Sequence, residues 1–350
     1  MIMKNFTSSV IGEYGVDLLY SVLDKPIDYD NIQESWNEEH RFYHGMDHLK
    51  QLINLIESGI SDEESRKKLY LIAIFHDVVY DPYSQDNEEK SAEMYRVMTG
   101  DNFDQEVYDA ILDSKDHTKK ASNLISEVFL DMDIHNLLYG SLDDMIRDSH
   151  LLTREYGSYD WTLMKAGRIS FMEKFAPHIL GINPESKVNE YISWLRTYEP
   201  KIAVFAGTFY PFHKGHLDIL RKAEKIFDKV IVACGNNPLK SEDPEREEYL
   251  KMLSKKLPNN QVESFDGFLT DYIATKNYPV TIIKGLRNPS DFDSEKLQLR
   301  YMEDMNPNIK IAYIISDRKY EHLSSSGIKT IDFIGSKKDG ERDLTSKYLL

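Results

Sequence analysis

Cysteine is almost absent: Cys234 is the only one in 350 residues. One thiol cannot close a disulfide within a chain, and such sparing use fits a reducing, cytoplasmic setting. Long apolar runs are missing too. No stretch approaches the ~20 residues that a membrane-crossing helix needs, and the opening MIMKNFTSSVIGEYG lacks a signal-peptide core, so no membrane association is expected. Positive charge is in deficit, with 43 Lys and Arg against 59 Asp and Glu, a formal net charge of −16. That balance argues against a nucleic-acid partner, which asks for a basic face. Phosphate chemistry stays open, because a few local basic residues can outweigh a distant acidic surface.

Proline is scarce in the first part of the chain: four of the 12 precede residue 200. A proline-poor stretch permits long helices, and the later enrichment marks loops. Periodicity agrees. HLKQLINLI, KKLYLIAIFHDVVY, NEEKSAEMYRVM, DQEVYDAILDS and ASNLISEVFLDMDIHNLL have the spacing of amphipathic or buried helices. From Lys201 onward the short runs IAVFAG, VIVACG, VESF, VTIIKG and IKIAYII alternate with helical stretches. Strand–helix alternation predicts an open parallel α/β sheet with ligands at the carboxyl ends of its strands. The length suits two domains: an all-α domain over 1–198 and a Rossmann-like α/β domain over 199–350.

At the start of the second domain stands GTFYPFHKGH, Gly207 to His216, between an apolar run and a helical one. Glycines let backbone approach a ligand, and the helix N-terminus offers free N–H groups to phosphate. His213 and His216 could instead bind metal or simply cap the helix. With one other histidine, His322, in this half and no third ligand nearby in sequence, phosphate is favoured over metal.

The turn resembles the T/HxGH signature of the nucleotidyltransferase superfamily. Together with NNPLK, IIKGLRNPSDFDSE and HLSSSGIK, it is most similar to the phosphopantetheine adenylyltransferases over about residues 201–333. That resemblance implies transfer of AMP from ATP, accompanied by Mg²⁺, to a phosphorylated small-molecule acceptor. For this family the acceptor is 4′-phosphopantetheine, giving dephospho-CoA and pyrophosphate in coenzyme A biosynthesis. Nicotinamide mononucleotide is the alternative acceptor, because its adenylyltransferases share GTFxPxHxGH. Carried over by position, His216, Lys240 and Arg287 act in catalysis. Thr208, Phe209, His213, Leu269, Thr270, Lys284, Glu295, Ser324, Ser325 and Ser326 bind nucleotide or acceptor. Three departures stand out: the family often has another residue at His213, usually arginine at Lys284, and tyrosine at Ser294. Lysine keeps the charge there but loses the bidentate fork. Homo-oligomerisation through this part is left open.

The first domain carries a second set. His44 and His48 are expected at i and i+4 on one helix face. His76 and Asp77 close the apolar run KLYLIAIF, where a bland core would not place a charge, and Asp131 and Asp133 follow another such run. Imidazoles with carboxylates suit a divalent Mn, Fe, Co, Ni, Mg or Zn ion. No glutamate follows His44, so the HExxH protease pattern is excluded. Over about residues 30–195 the order H…HD…D resembles the HD superfamily of metal-dependent phosphohydrolases, with YHGMDH, FHDVVYDPYSQDNEEKS, DMD and IRDSHLLTREY as its elements. The resemblance implies His44, His76, Asp77 and Asp133 as metal ligands. It puts His48, Asn87, Glu88, His117 and Asp131 behind them or facing phosphate. A bifunctional enzyme is therefore expected; its rival is an adenylyltransferase carrying a non-hydrolytic, regulatory HD domain.

Overall fold

The computed structural model describes residues 11–23, 27–236, 246–338 and 345–350. It divides into two compact units, Met1–Glu155 with Ala166–Thr197 and Tyr156–Lys165 with Tyr198–Leu350. A single cut at 198/199 therefore leaves out residues 156–165 and Tyr198, which belong with the later unit. The reason is local packing: Trp161 and Met164 lie in one apolar cluster with Ile202, Val204, Ile231 and Ala233.

The first unit is helical and built around Glu63–Phe75. Asp62 caps this helix by accepting from the Ser65 N–H at 2.8 Å, and Glu63 and Glu64 occupy the first turn, where negative charge suits the helix dipole. From Leu69 to Phe75 every residue is buried. A helix apolar on all sides has to be enclosed. Helices Met46–Gly59, Asn87–Thr99, Gln105–Asp113 and Leu124–Asp133 pack around it.

Two helices end earlier than their periodicity predicts. The KLYLIAIF helix stops at Phe75, and His76 to Tyr80 form turns. There Arg41 takes the carbonyls of Asp77 (2.5 Å) and Val78 (3.1 Å), which a continuing helix would need for itself. The later run breaks at Ile134 into Leu124–Asp133 and His135–Tyr139, leaving Asp133 as the last residue of its helix.

In the second unit five strands form one parallel sheet: β1 Ile202–Gly207, β2 Lys229–Gly235, β3 Gln261–Phe265, β4 Val280–Leu286 and β5 Ile311–Ile315. Their order is β3-β2-β1-β4-β5. Side chains alternate between faces with period two. Ala203 and Phe205 pack under helix Lys214–Ala223 with Val230, Val232, Cys234 and Ile283. Ile202 and Val204 face the other way, toward Trp161. Lys229, buried at the start of β2, donates its ammonium to the carbonyls of Gly157 and of Tyr159 (2.7 Å). Burial pushes its pKa down to about 7. This lysine and Trp161 hold residues 156–165 to the sheet.

Trp161→Ala should therefore destabilise the second unit by about 3–5 kcal/mol, the usual cost of deleting a buried indole. Denaturant unfolding followed by circular dichroism checks this. A change under about 1 kcal/mol would mean that the segment is not part of the core.

Candidate functional site

The strand order reverses between β1 and β4, so the crevice beyond their carboxyl ends is the switch point of the sheet. Residues 208–213 leave β1 there, and Arg287 follows β4. Phe209 turns the chain with φ +47°, a conformation that costs a residue with a Cβ about 1 kcal/mol or more. Its ring is buried against Phe205 and Phe212. Gly207 makes the room: a Cβ there would come within 2.8 Å of that ring. Tyr249 braces the turn, donating its hydroxyl to the Phe209 carbonyl at 2.8 Å and accepting from the Phe212 N–H at 2.5 Å. Ser325 reaches across from helix Ser325–Lys338 to the Pro211 carbonyl at 2.9 Å. On the outside, Leu349 bridges His213 and Lys214 donates to the Lys347 carbonyl at 2.6 Å.

The two imidazoles stack 3.6 Å apart. His213 is the N-cap of helix Lys214–Ala223, and a Cβ on Gly215 would come within 3.1 Å of its ring. His216 Nδ1 accepts from the His213 N–H at 3.3 Å. A nitrogen that accepts carries no proton, so the proton of His216 sits on Nε2. Both rings are neutral at pH 7. Burial first, then Arg287, pushes His213 down to about 4, while burial, His213 and Arg287 hold His216 well below the ordinary imidazole range. The His216 ring is therefore an uncharged N–H donor in an aromatic wall of Phe205, Phe209 and Phe212.

Arg287 is aimed by three bonds to Asp291, from its backbone N–H (2.9 Å), Nε (3.0 Å) and Nη2 (3.0 Å). Its Nη1 donates to the Leu323 carbonyl at 2.9 Å, tying GLRNPSDF to HLSSSGIK. Ser324 caps the helix there by accepting from the Gly327 N–H at 3.0 Å, and Ser326 is exposed beside it. Thr208 is exposed at the end of β1, whereas the Phe209 ring is core, so only the backbone of Phe209 could face a ligand. Lys284 pairs with Glu295 at 3.0 Å, and the Ser294 hydroxyl turns back to the Ser290 carbonyl. Thr270 is buried with its Oγ1 3.6 Å from Met305 Sδ, and Leu269 beside it is half-buried. Lys240 lies outside the described residues.

Residues 204–331 match the cytidylyltransferase-like family model. A phosphopantetheine adenylyltransferase of Clostridium tetani is 40% identical over 137 residues, 38% of this chain and 85% of that protein. One from Clostridium botulinum is 41% identical over 138 residues, 39% of this chain and 84% of the relative. Through its second unit, the chain belongs to the phosphopantetheine adenylyltransferase family. That unit is accordingly a nucleotidyltransferase of the adenylyl-transferring kind, and the family likeness leaves the helical unit untouched. No helix among the described residues is long and apolar enough to cross a membrane.

The helical unit gathers a different chemistry. His48, His76 and Asp77 offer ligand atoms that all lie within 4.8 Å of one another. Asp133 joins them, with Oδ1 3.0 Å from His48 Nε2 and 3.6 Å from His76 Nε2. Its Oδ2 is 2.9 Å from His117 Nε2. His76 Nδ1 donates to the Ala73 carbonyl at 3.0 Å. The buried Nε2 makes no well-directed hydrogen bond, though Asp77 Oδ2 is 3.2 Å away. A nitrogen lone pair facing carboxylate oxygens is what a divalent cation resolves, so the donor set fits one. By themselves the groups compensate otherwise. Burial would lower His76 and raise Asp77 and Asp133. Their mutual attraction, helped by His44 at Asp77 and by His117 and His48 at Asp133, holds both carboxyls below the usual range and His76 above its own.

His48, expected behind the ligands, has a ring nitrogen within this cluster. Helix Met46–Gly59 begins after Gly45, so His44 precedes it and shares no helix face with His48. His44 lies in the turn before, its ring 6.1 Å from that of His48 and its Nδ1 2.5 Å from Glu155 Oε1. Asn87 does not face outward, since its amide is spent on the N–H (3.0 Å) and carbonyl (2.9 Å) of Asp81 and braces the loop after Asp77. Glu88 is partly exposed, 3.8 Å from Lys115, its carboxyl raised by burial. Asp131 is likewise raised by burial, beside Glu127, with His117 and His178 opposing. Sequence reasoning assigned no role to Arg41, Tyr249 or Glu155. Each acts on backbone atoms, and only the fold brings those atoms within reach.

Tyr249→Phe should leave the Phe209 carbonyl and Phe212 N–H without their partner and cost about 1–3 kcal/mol. Adenylyl-transfer turnover should fall as well, because the loop they brace ends at His213, the N-cap of the helix that carries His216. A variant with unchanged stability and kcat would show that the turn holds itself.

Proposed function

We propose that the second unit transfers AMP from ATP to 4′-phosphopantetheine, and that the first is a metal-dependent phosphohydrolase of the HD superfamily. For the transferase, an oxygen of the acceptor phosphate attacks the α-phosphorus of ATP in line. The bond to the β-phosphate oxygen breaks, and pyrophosphate leaves. No protein nucleophile is needed, so positioning and electrostatics supply the catalysis. His216 Nε2–H donates to the α-phosphate oxygens as charge builds on them. Arg287 and Lys240 bind phosphate, and the Ser324–Ser326 helix start offers hydroxyls and N–H groups to the β- and γ-phosphates. Mg²⁺ entering with ATP supplies charge neutralisation.

Similarity to the two clostridial enzymes over some 85% of their length carries the acceptor assignment. The packing of aromatic residues supports it. A nicotinamide ring would need free aromatic faces, yet Phe265 and Tyr272 stack on each other at 4.9 Å within the apolar cluster behind β1. The Tyr272 hydroxyl is taken by Glu263, and Phe268 alone of the three is exposed. Offered both acceptors with ATP, the protein should form dephospho-CoA in large excess; a dominant nicotinamide dinucleotide product would refute the acceptor and spare the mechanism. His216→Ala should lower kcat by about 10²–10³-fold with KM little changed, as for loss of a donor made effective in the transition state. Near-normal turnover in that variant would remove His216 from the mechanism.

For the helical unit, the convergence of His48 Nε2, His76 Nε2, Asp77 and Asp133 within one buried cluster is the observation that carries the reading. A divalent cation held by His44, His48, His76, Asp77 and Asp133 would supply charge for a phosphoester and a lowered pKa for water. The double variant His76→Ala, Asp77→Ala should lose a bound divalent metal by elemental analysis while adenylyl transfer persists. Unchanged metal stoichiometry would overturn the HD assignment.

A further inference from the structure

Glu155 ends helix Leu142–Glu155 with its side chain wholly buried. A buried carboxylate is expensive unless donors surround it, and here they come from one short stretch. Oε2 accepts the consecutive backbone N–H groups of Phe42 (2.8 Å), Tyr43 (2.9 Å) and His44 (3.1 Å). Oε1 takes the Tyr80 hydroxyl at 2.6 Å and lies 2.5 Å from His44 Nδ1. The Tyr80 ring also stacks on the His44 imidazole, with centroids 4.4 Å apart. One carboxylate therefore fixes the backbone that carries His44, the plane of its ring and the nitrogen that holds its proton. With Nδ1–H committed to Glu155, Nε2 is left as the lone-pair nitrogen, the state a metal requires of imidazole.

We propose that Glu155 is a positioning residue that makes His44 competent to bind the divalent cation of the helical unit. The inference rests on the metal reading above and adds to it a residue more than 110 positions away in the chain. Arg41 plays the matching part on the other motif by holding the carbonyls of Asp77 and Val78. Its hydrogen bonds to that motif go to backbone carbonyls, whereas Glu155 also sets a tautomer, and that difference is measurable.

Mn²⁺ titration of the full-length protein by calorimetry, with helix content checked by circular dichroism, tests the idea. Glu155→Gln keeps the shape but places an amide NH₂ against donors on one side or the other. Its Mn²⁺ affinity should fall about 10–100-fold, the usual effect of losing the partner of a ligating histidine. In ¹⁵N-resolved spectra, His44 should move from a single Nδ1–H tautomer to a mixture. A folded Glu155→Gln protein with wild-type affinity and an unchanged His44 spectrum would overturn the proposal. If that variant does not fold, Glu155→Asp decides. It keeps the charge and draws the carboxylate back by one methylene, so weaker Mn²⁺ binding supports the role and unchanged binding overturns it. Wild-type protein that takes up no Mn²⁺ at all would instead remove the metal reading, and this proposal with it.

Discussion

The parallel pairing of β1 with β2 on one side and β4 on the other is the constraint on which the second unit rests. It places β1 where the strand order reverses and delivers two loops, after β1 and after β4, into one crevice. Several contacts in that unit serve the first of these loops. Gly207 admits the Phe209 ring, Tyr249 bonds the backbone on both sides of the turn, and Ser325 holds Pro211. The outcome is a neutral imidazole with its proton on a defined nitrogen, beside an arginine already oriented by Asp291.

The helical unit solves the opposite electrostatic problem. At the adenylyl-transfer turn, burial and a neighbouring arginine keep histidines uncharged. Around Asp133, burial is opposed by close contact between imidazoles and carboxylates, so the charged forms prevail. Histidine serves at both places because its ordinary pKa lies near neutrality, where modest changes of surroundings decide its state. Neutral donors suit a polyanionic nucleotide whose charge is already partly balanced. A dense mixture of lone pairs and carboxylates suits a cation.

In both units, loops that carry histidines are held by polar side chains from elsewhere in the chain. Arg41, Glu155 and Tyr249 bind main-chain atoms of the loops that carry the functional side chains. Buried backbone groups outside regular structure have to find partners, and a loop shaped for function cannot find them all within itself. Polar side chains from distant elements fill the gap. The same logic explains Lys229, whose ammonium meets the carbonyls of residues 157 and 159 where that segment crosses onto the sheet unit.

Much of this was written in the linear order of residues. Short apolar runs separated by helical stretches determined the parallel sheet, and the proline-poor, 3.6-periodic first part determined the helical unit, because both patterns arise from which side chains must leave water. The motifs GTFYPFHKGH and GLRNPSDF likewise lie at the carboxyl ends of β1 and β4. Other features were settled by the third dimension alone. The helix boundary at Gly45 separates His44 from His48, and the turn before it is held by Glu155, more than a hundred residues later. The burial of Phe209, the inward commitment of Asn87 and the transfer of residues 156–165 to the later unit are of the same kind. Each turns on a contact between residues far apart in the chain, and local periodicity records only what a residue's near neighbours require.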